Sequence, residues 1–255
     1  MNIAKIASSV VVAAAFQAAL SAEILVNGGF ESPNPLAGWS TMTFDAGINA
    51  VSGGDVSPFG SSNGASTKAV QLLDRAGSYA SPALYQHFSI EGPVRFSFDF
   101  RLSEFSSDYW FVSTTYHSTQ SQGNSFPFNV RIGSDGAFKF LASGSSFVQP
   151  IDLGDWYRVV IDLDFVTQRL SGSLTEFGGA RATWTDFRFL QKMPTVTDVL
   201  FEDYVSTTAK NGDLFLDNVS VTNSPAVPEP STYGVVAIGA LVVLVVRRRF
   251  GRKRG

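Results

Sequence analysis

The chain contains no cysteine and only two histidines in 255 residues. Without thiols there can be no disulfide framework, no thiolate metal site and no cysteine nucleophile, so a packed core must hold the fold together. His87 and His117 alone make a poor zinc site, and they are the only imidazole bases available to a serine nucleophile. Charged residues are sparse, at 16%. Between Glu23 and Asn223 stand 12 basic and 21 acidic residues, a balance of −9, because Lys5 and six tail residues carry the rest of the positive charge. So acidic a body lacks the basic footprint that nucleic acid or anionic lipid requires, although it suits solubility and cations. Helical periodicity is scarce, and no internal repeat is present.

What the chain does have begins at its two ends. Lys5, the mostly apolar stretch Ile6 to Leu20 and the small residues of Leu20-Ser21-Ala22 have the layout of a secretory signal peptide, residues 1–22, removed by signal peptidase after Ala22. At the other end, Pro228-Glu229-Pro230 precedes an uncharged run, Tyr233 to Val246, and then Arg247, Arg248, Arg249, Arg252, Lys253 and Arg254. The run is short of the ~20 apolar residues that span a bilayer core, but flanking arginines can snorkel to the headgroups. A single transmembrane helix is expected over 231–246, with a linker at 224–230 and a basic cytoplasmic tail at 247–255.

Val227-Pro228-Glu229-Pro230-Ser231, the short apolar helix and the arginine-rich end resemble the PEP-CTERM sorting signal of Gram-negative bacteria that make exopolysaccharide. The resemblance implies recognition by an exosortase and cleavage near Pro228, Glu229 and Pro230, which would be substrate residues rather than catalytic ones. It also implies an inner-membrane precursor whose body is then released or transferred to the cell surface or extracellular matrix.

The body, residues 23–223, is dominated by two-residue alternation. From Val94 to Leu102, Phe96, Phe98, Phe100 and Leu102 point one way, and Arg95, Ser97, Asp99 and Arg101 the other. Further strands are expected at Ala69–Leu73, Ala83–Ile90, Tyr109–Tyr116, Phe126–Ile132 and Ala137–Leu141. The second half adds Trp156–Phe165, Gln168–Thr175, Thr183–Phe189, Val199–Tyr204 and Leu214–Val221. Turn clusters such as Ser143-Gly144-Ser145-Ser146 and Gly178-Gly179 separate them. Together these predict an all-β jelly-roll β-sandwich with the 22 phenylalanines mainly between its sheets.

The segments Ile24-Leu25-Val26-Asn27-Gly28-Gly29-Phe30-Glu31 and Leu214-Phe215-Leu216-Asp217-Asn218-Val219-Ser220-Val221 resemble the first and last strands of galactose-binding-like jelly rolls, which include carbohydrate-binding modules. Gly154-Asp155-Trp156-Tyr157-Arg158-Val159-Val160 is similar instead to a strand of concanavalin-like laminin G sandwiches. The first resemblance implies a structural calcium held by Glu31 and Asp217. The alternative is that Asp217 and Asn218 satisfy nearby backbone groups.

A sugar platform would need exposed rings beside polar side chains. Trp39, Tyr109, Trp110 and Tyr116 are the candidates, with His117 and Gln120 nearby, and core packing is the competing role for each. Asp162 and Asp164 share one strand face at a spacing near that of glycosidase carboxylates, as a solvated face would also place them. Asp99 and Glu104 stand in the same position. Gly60-Ser61-Ser62-Asn63-Gly64 matches a nucleophile elbow in letters only, since no hydrophobic strand precedes it. No catalytic residue is therefore assigned. The body is expected to bind glycan or exopolysaccharide, or to act as a structural or adhesive component, rather than to catalyse.

Overall fold

In the computed structural model the described residues are 23–42, 47–60, 65–73, 82–105, 109–115, 125–133, 135–204 and 212–224. The expected signal peptide, sorting motif, apolar run and basic tail lie outside them, as do Tyr116, His117 and Gln120. Among the described residues no helix is long and apolar enough to cross a membrane.

Among the described residues fourteen strands form two antiparallel sheets. They are β1 Ser40–Met42, β2 Ile48–Ser52, β3 Lys68–Leu72, β4 Ala83–His87, β5 Val94–Leu102, β6 Tyr109–Thr115 and β7 Asn129–Ile132. Then come β8 Ala137–Ala142, β9 Ser145–Pro150, β10 Tyr157–Asp164, β11 Arg169–Glu176, β12 Arg181–Arg188, β13 Asp198–Tyr204 and β14 Leu214–Asn223. The first sheet runs β1-β4-β13-β6-β7-β8-β9 and the second β12-β11-β10-β5-β14-β3-β2. A short 3₁₀ turn, Gly53–Asp55, follows β2.

The layer between the sheets is where the alternating phenylalanines go. Phe96, Phe98 and Phe100 of β5 are fully buried. Phe98 meets Phe201 of β13 edge-on at 5.4 Å, Phe96 stacks on Phe128 at 6.3 Å, and Phe100 stacks on Phe138 of β8 at 6.0 Å. Trp184 of β12 closes one end, 4.8 Å from Phe140 and 4.7 Å from Phe147. These aromatic contacts join strands far apart in sequence and form one continuous core.

Three strands were not expected from the sequence. Ser143-Gly144-Ser145-Ser146 predicts a turn, yet only Ser143-Gly144 make it, with Gly144 at φ +67°, and Ser145 and Ser146 already belong to β9. β9 is an edge strand of half-buried and exposed residues, so it lacks an apolar row to reveal it. β2 is also an edge strand, and β1 has three residues.

Phe201→Ala should lower stability by about 3–5 kcal/mol, the range for losing a buried ring and leaving a cavity. Val166→Ala, at a side chain that is 89% exposed, should leave stability unchanged. A urea titration of both variants beside the wild type checks the contrast.

Candidate functional site

The two ends of the body meet on the second sheet. β14 pairs with β3 only from Leu214 to Leu216. Beyond that point the N-terminal segment takes over the edge: Ile24 N–H donates to Val221 O, and Val219 N–H to Gly28 O, each at 2.9 Å. A Cβ on residue 28 would lie 1.8 Å from Val219 O, so glycine is required there. Asn27, at φ +55°, pins the following loop by donating from its amide to Pro35 O at 2.7 Å and accepting from Ser32 N–H at 3.1 Å.

On the outer face of this sheet β14 carries one extra residue. Asp217 faces Asp99 of β5, whereas the next outer pair is Ser220 with Ser97. The bulge puts both Asp217 and Asn218 on the outer face between the core residues Leu216 and Val219, with Asn218 at φ +48°. Two carboxylates directly opposite each other repel, so the arrangement needs compensation. Arg158 of β10, on the far side of Asp99, donates to it from Nε at 2.7 Å and from Nη2 at 2.8 Å. Asn218 Nδ2 adds a third nitrogen donor at 2.8 Å.

Residues 53–60 reach these groups from above the sheet. Ser57 gives its N–H to Asp217 Oδ2 at 2.9 Å and its hydroxyl to Asp99 Oδ2 at 2.6 Å, while Arg158 Nη2 also donates to Gly60 O at 2.8 Å. Both aspartates are thereby closed off from solvent. Burial pushes the Asp217 carboxyl up to about 7; N–H donors from Ser57 and Asn218 oppose the rise, and the neighbouring Asp99 adds to it.

Beside this cluster opens a cavity of about 550 Å³ lined by Glu23, Asn27, Glu31, Phe59, Arg158 and Asn218, among others. Phe59 lies 4.7 Å beneath the Arg158 guanidinium and meets the ring of Phe177 edge-on at 5.3 Å. Phe177, in the turn between β11 and β12, is 53% exposed. Burial raises Glu23 above the usual carboxylate range. Glu31 is also raised by burial, but the Thr67 hydroxyl and the Thr67 and Lys68 N–H groups outweigh this and hold it low.

The residues expected to act are distributed as follows. Glu31 and Asp217 belong to the same outer face, and each carboxylate is met by N–H or O–H donors. Among the described residues the three acids close enough to share one cation are Asp152, Asp155 and Glu176. Trp39 and Trp110 are not a platform: both are buried, Trp39 against Phe30 at 5.4 Å and Trp110 with Nε1 donating to Gly212 O at 3.0 Å. Tyr109 is half-buried, with the Arg131 guanidinium 4.6 Å from its ring. Tyr116 lies outside the described residues.

The acid pair on β10 separates into two structural roles. Asp162 accepts from Arg95 Nε at 2.7 Å and Nη2 at 2.9 Å, and Asp164 caps the β10–β11 turn through Val166 N–H and Thr167. His87 pairs with Asp198. The sequence reading missed Phe59, Phe177 and Arg158. Phe177 did leave a signal, being a large apolar residue placed directly before the Gly178-Gly179 turn, outside any strand alternation.

The raised Asp217 has a sign that can be tested. Its folded form keeps a proton up to about pH 7, whereas the unfolded chain releases it near the ordinary aspartate value of 3.8. The folded state therefore binds more protons between these values, and this contribution to stability is present at low pH and lost as pH rises to about 7. Asp217→Asn cannot titrate, so the stability of the wild type relative to this variant should decline from about pH 4 to about pH 7 and then level off. Denaturant unfolding across pH measures it; a difference that stays constant would show that Asp217 ionises normally.

Residues 226–249 match the PEP-CTERM protein-sorting motif. A comparison with curated proteins finds no match. Among solved structures the chain is similar to a sialidase, with TM-score 0.57 and 10% identity over 79% of this chain, and spans 18% of that protein's length. It is also similar to the catalytic domain of a glycoside hydrolase family 131 protein from Coprinopsis cinerea, with TM-score 0.55, 9% identity, and coverage of 80% of this chain and 96% of the other. A third likeness is to a conserved carbohydrate esterase from the Shiga toxin-encoding bacteriophage phi24B, with TM-score 0.53, 16% identity, and coverage of 80% and 99%. At such identities the likeness is one of fold: this chain is a two-sheet antiparallel β-sandwich that carries a PEP-CTERM protein-sorting motif.

Proposed function

We propose that this protein is delivered to the cell surface or extracellular matrix and there binds glycan on the outer face of its second sheet. The PEP-CTERM motif indicates an exported protein and implies processing by an exosortase. The observation that carries the binding reading is the cavity beside Phe59. Its lining combines Arg158, Asn27, Asn218 and Ser97 with an aromatic ring, the mixture of apolar face and oriented polar groups that a sugar needs. The partly exposed Phe177 extends that aromatic surface to solvent. Similarity of fold to the family 131 glycoside hydrolase domain and to the carbohydrate esterase is compatible with this reading.

The full chain in detergent micelles should be retained on at least one immobilised polysaccharide. Phe177→Ala should weaken that retention by up to about tenfold, the scale of one aromatic contact. Retention should be equal with calcium and with a chelator, because hydrogen-bond donors already meet Glu31 and Asp217. No retention on any polysaccharide would transfer the role to a structural or adhesive component that binds no small ligand.

One observation favours a second reading, glycoside hydrolysis. Glu23 and Glu31 line the same cavity, and their surroundings push the first up and hold the second low, as an acid and its partner require. Release of reducing ends from a retained polysaccharide, abolished by Glu23→Gln, would establish it. Retention without such release leaves binding alone.

The sorting step has its own outcome. Replacing Pro228, Glu229 and Pro230 by alanine should leave the precursor in the membrane fraction. Normal delivery of that variant to the surface or medium would mean that the motif is not what directs the protein.

A further inference from the structure

The cavity beside Phe59 shares Arg158 and Val160 with a second trough of about 500 Å³ that crosses β10, β11 and β12. Strand register orders its lining. Arg158 stands opposite Thr175, and Thr175 stands opposite Arg181, giving a row of guanidinium, hydroxyl and guanidinium across three strands. Neighbouring strands are about 4.8 Å apart, so the backbones that carry the two arginines lie about 10 Å apart. The next row is Val160, the buried Ser173 and the exposed Thr183, and Ser171 and Thr185 add further hydroxyls.

The charges in this trough do not follow the rest of the body. Arg95, Arg158 and Arg181 line it, with Asp162 the one carboxylate among the described lining residues. Asp162 is engaged by Arg95, and Arg158 is engaged by the buried Asp99 beneath it. Arg181 is exposed and forms no ion pair among the described residues. A domain with a balance of −9 thus presents an uncompensated guanidinium amid hydroxyl rows, next to the aromatic surface of Phe59 and Phe177.

We infer that the glycan is one that carries carboxylate groups, held in this trough with a carboxylate on Arg181 and sugar hydroxyls on the serine and threonine rows. The inference rests on the glycan-binding reading and specifies its ligand. Guanidinium is suited to it because its planar fork matches a carboxylate with two parallel hydrogen bonds.

The probes are polygalacturonate and the same polymer with its carboxyls reduced to alcohols, each titrated with the full chain in detergent micelles. The wild type should prefer the anionic polymer, and that preference should shrink as salt rises from about 0.05 to about 0.5 M. Arg181→Gln should cost up to about fivefold on polygalacturonate and nothing on the reduced polymer, as expected for one exposed ion pair. Arg181→Lys should recover part of the loss. Equal affinity for the two polymers, or an Arg181→Gln variant that binds like the wild type, overturns the carboxylate inference and leaves glycan binding standing. Failure of the wild type on every polysaccharide tried overturns both.

Discussion

Strict two-residue alternation along β5 is the constraint from which both halves of this structure follow. Because successive side chains leave a strand on opposite faces, Phe96, Phe98 and Phe100 enter the core while Ser97, Asp99 and Arg101 reach the outer face. A one-residue slip would bury Asp99 among phenylalanines and expose the core row, so hydrophobic packing also fixes the register of the polar site. The antiparallel partners inherit that register. Arg158 on one side and Asp217 on the other arrive opposite Asp99 for the same reason that Val159 and Leu216 arrive beside Phe98 and Phe100.

The site then carries an electrostatic cost. Asp99 and Asp217 are neighbours across a strand pair and both are closed off from water. Arg158, Asn218 and Ser57 supply donors to them, and Asp217 answers the remaining cost by holding a proton more tightly than usual. These bonds also fasten residues 53–60 to the sheet through Ser57 and Gly60. That places Phe59 where it walls the cavity, so the buried acids act as an anchor for the segment that shapes it.

Eleven of the strands were legible because each alternates or belongs to a buried apolar row. The edge strands β2 and β9 were not, since an edge strand with half-exposed faces has no apolar row to mark it. The site was legible in fragments. Ile24 to Glu31 and Leu214 to Val221 stood out as paired ends, and they do lie side by side. Trp39 and Trp110 were candidates because large aromatics serve either sugar or core, and sequence cannot distinguish a ring that faces solvent from one that faces Phe30 or Phe201. Asp99 read as a solvated residue because nothing near it in the chain announces that Ser57, 42 positions earlier, will cover it.

Export and the class of fold are legible in the sequence alone. The Pro-Glu-Pro motif with its apolar run and arginines is contiguous, and strand alternation is local, so both can be read without knowing what lies far away. Which polar residues come together on the second sheet follows instead from contacts between distant segments. Phe59, Arg158, Phe177 and Asn218 are dispersed across the chain, and their proximity depends on the order of strands in the second sheet, on the bulge in β14 and on the path of residues 53–60. Those features arise from non-local pairing, whose register is set when the two sheets bury their inner faces together.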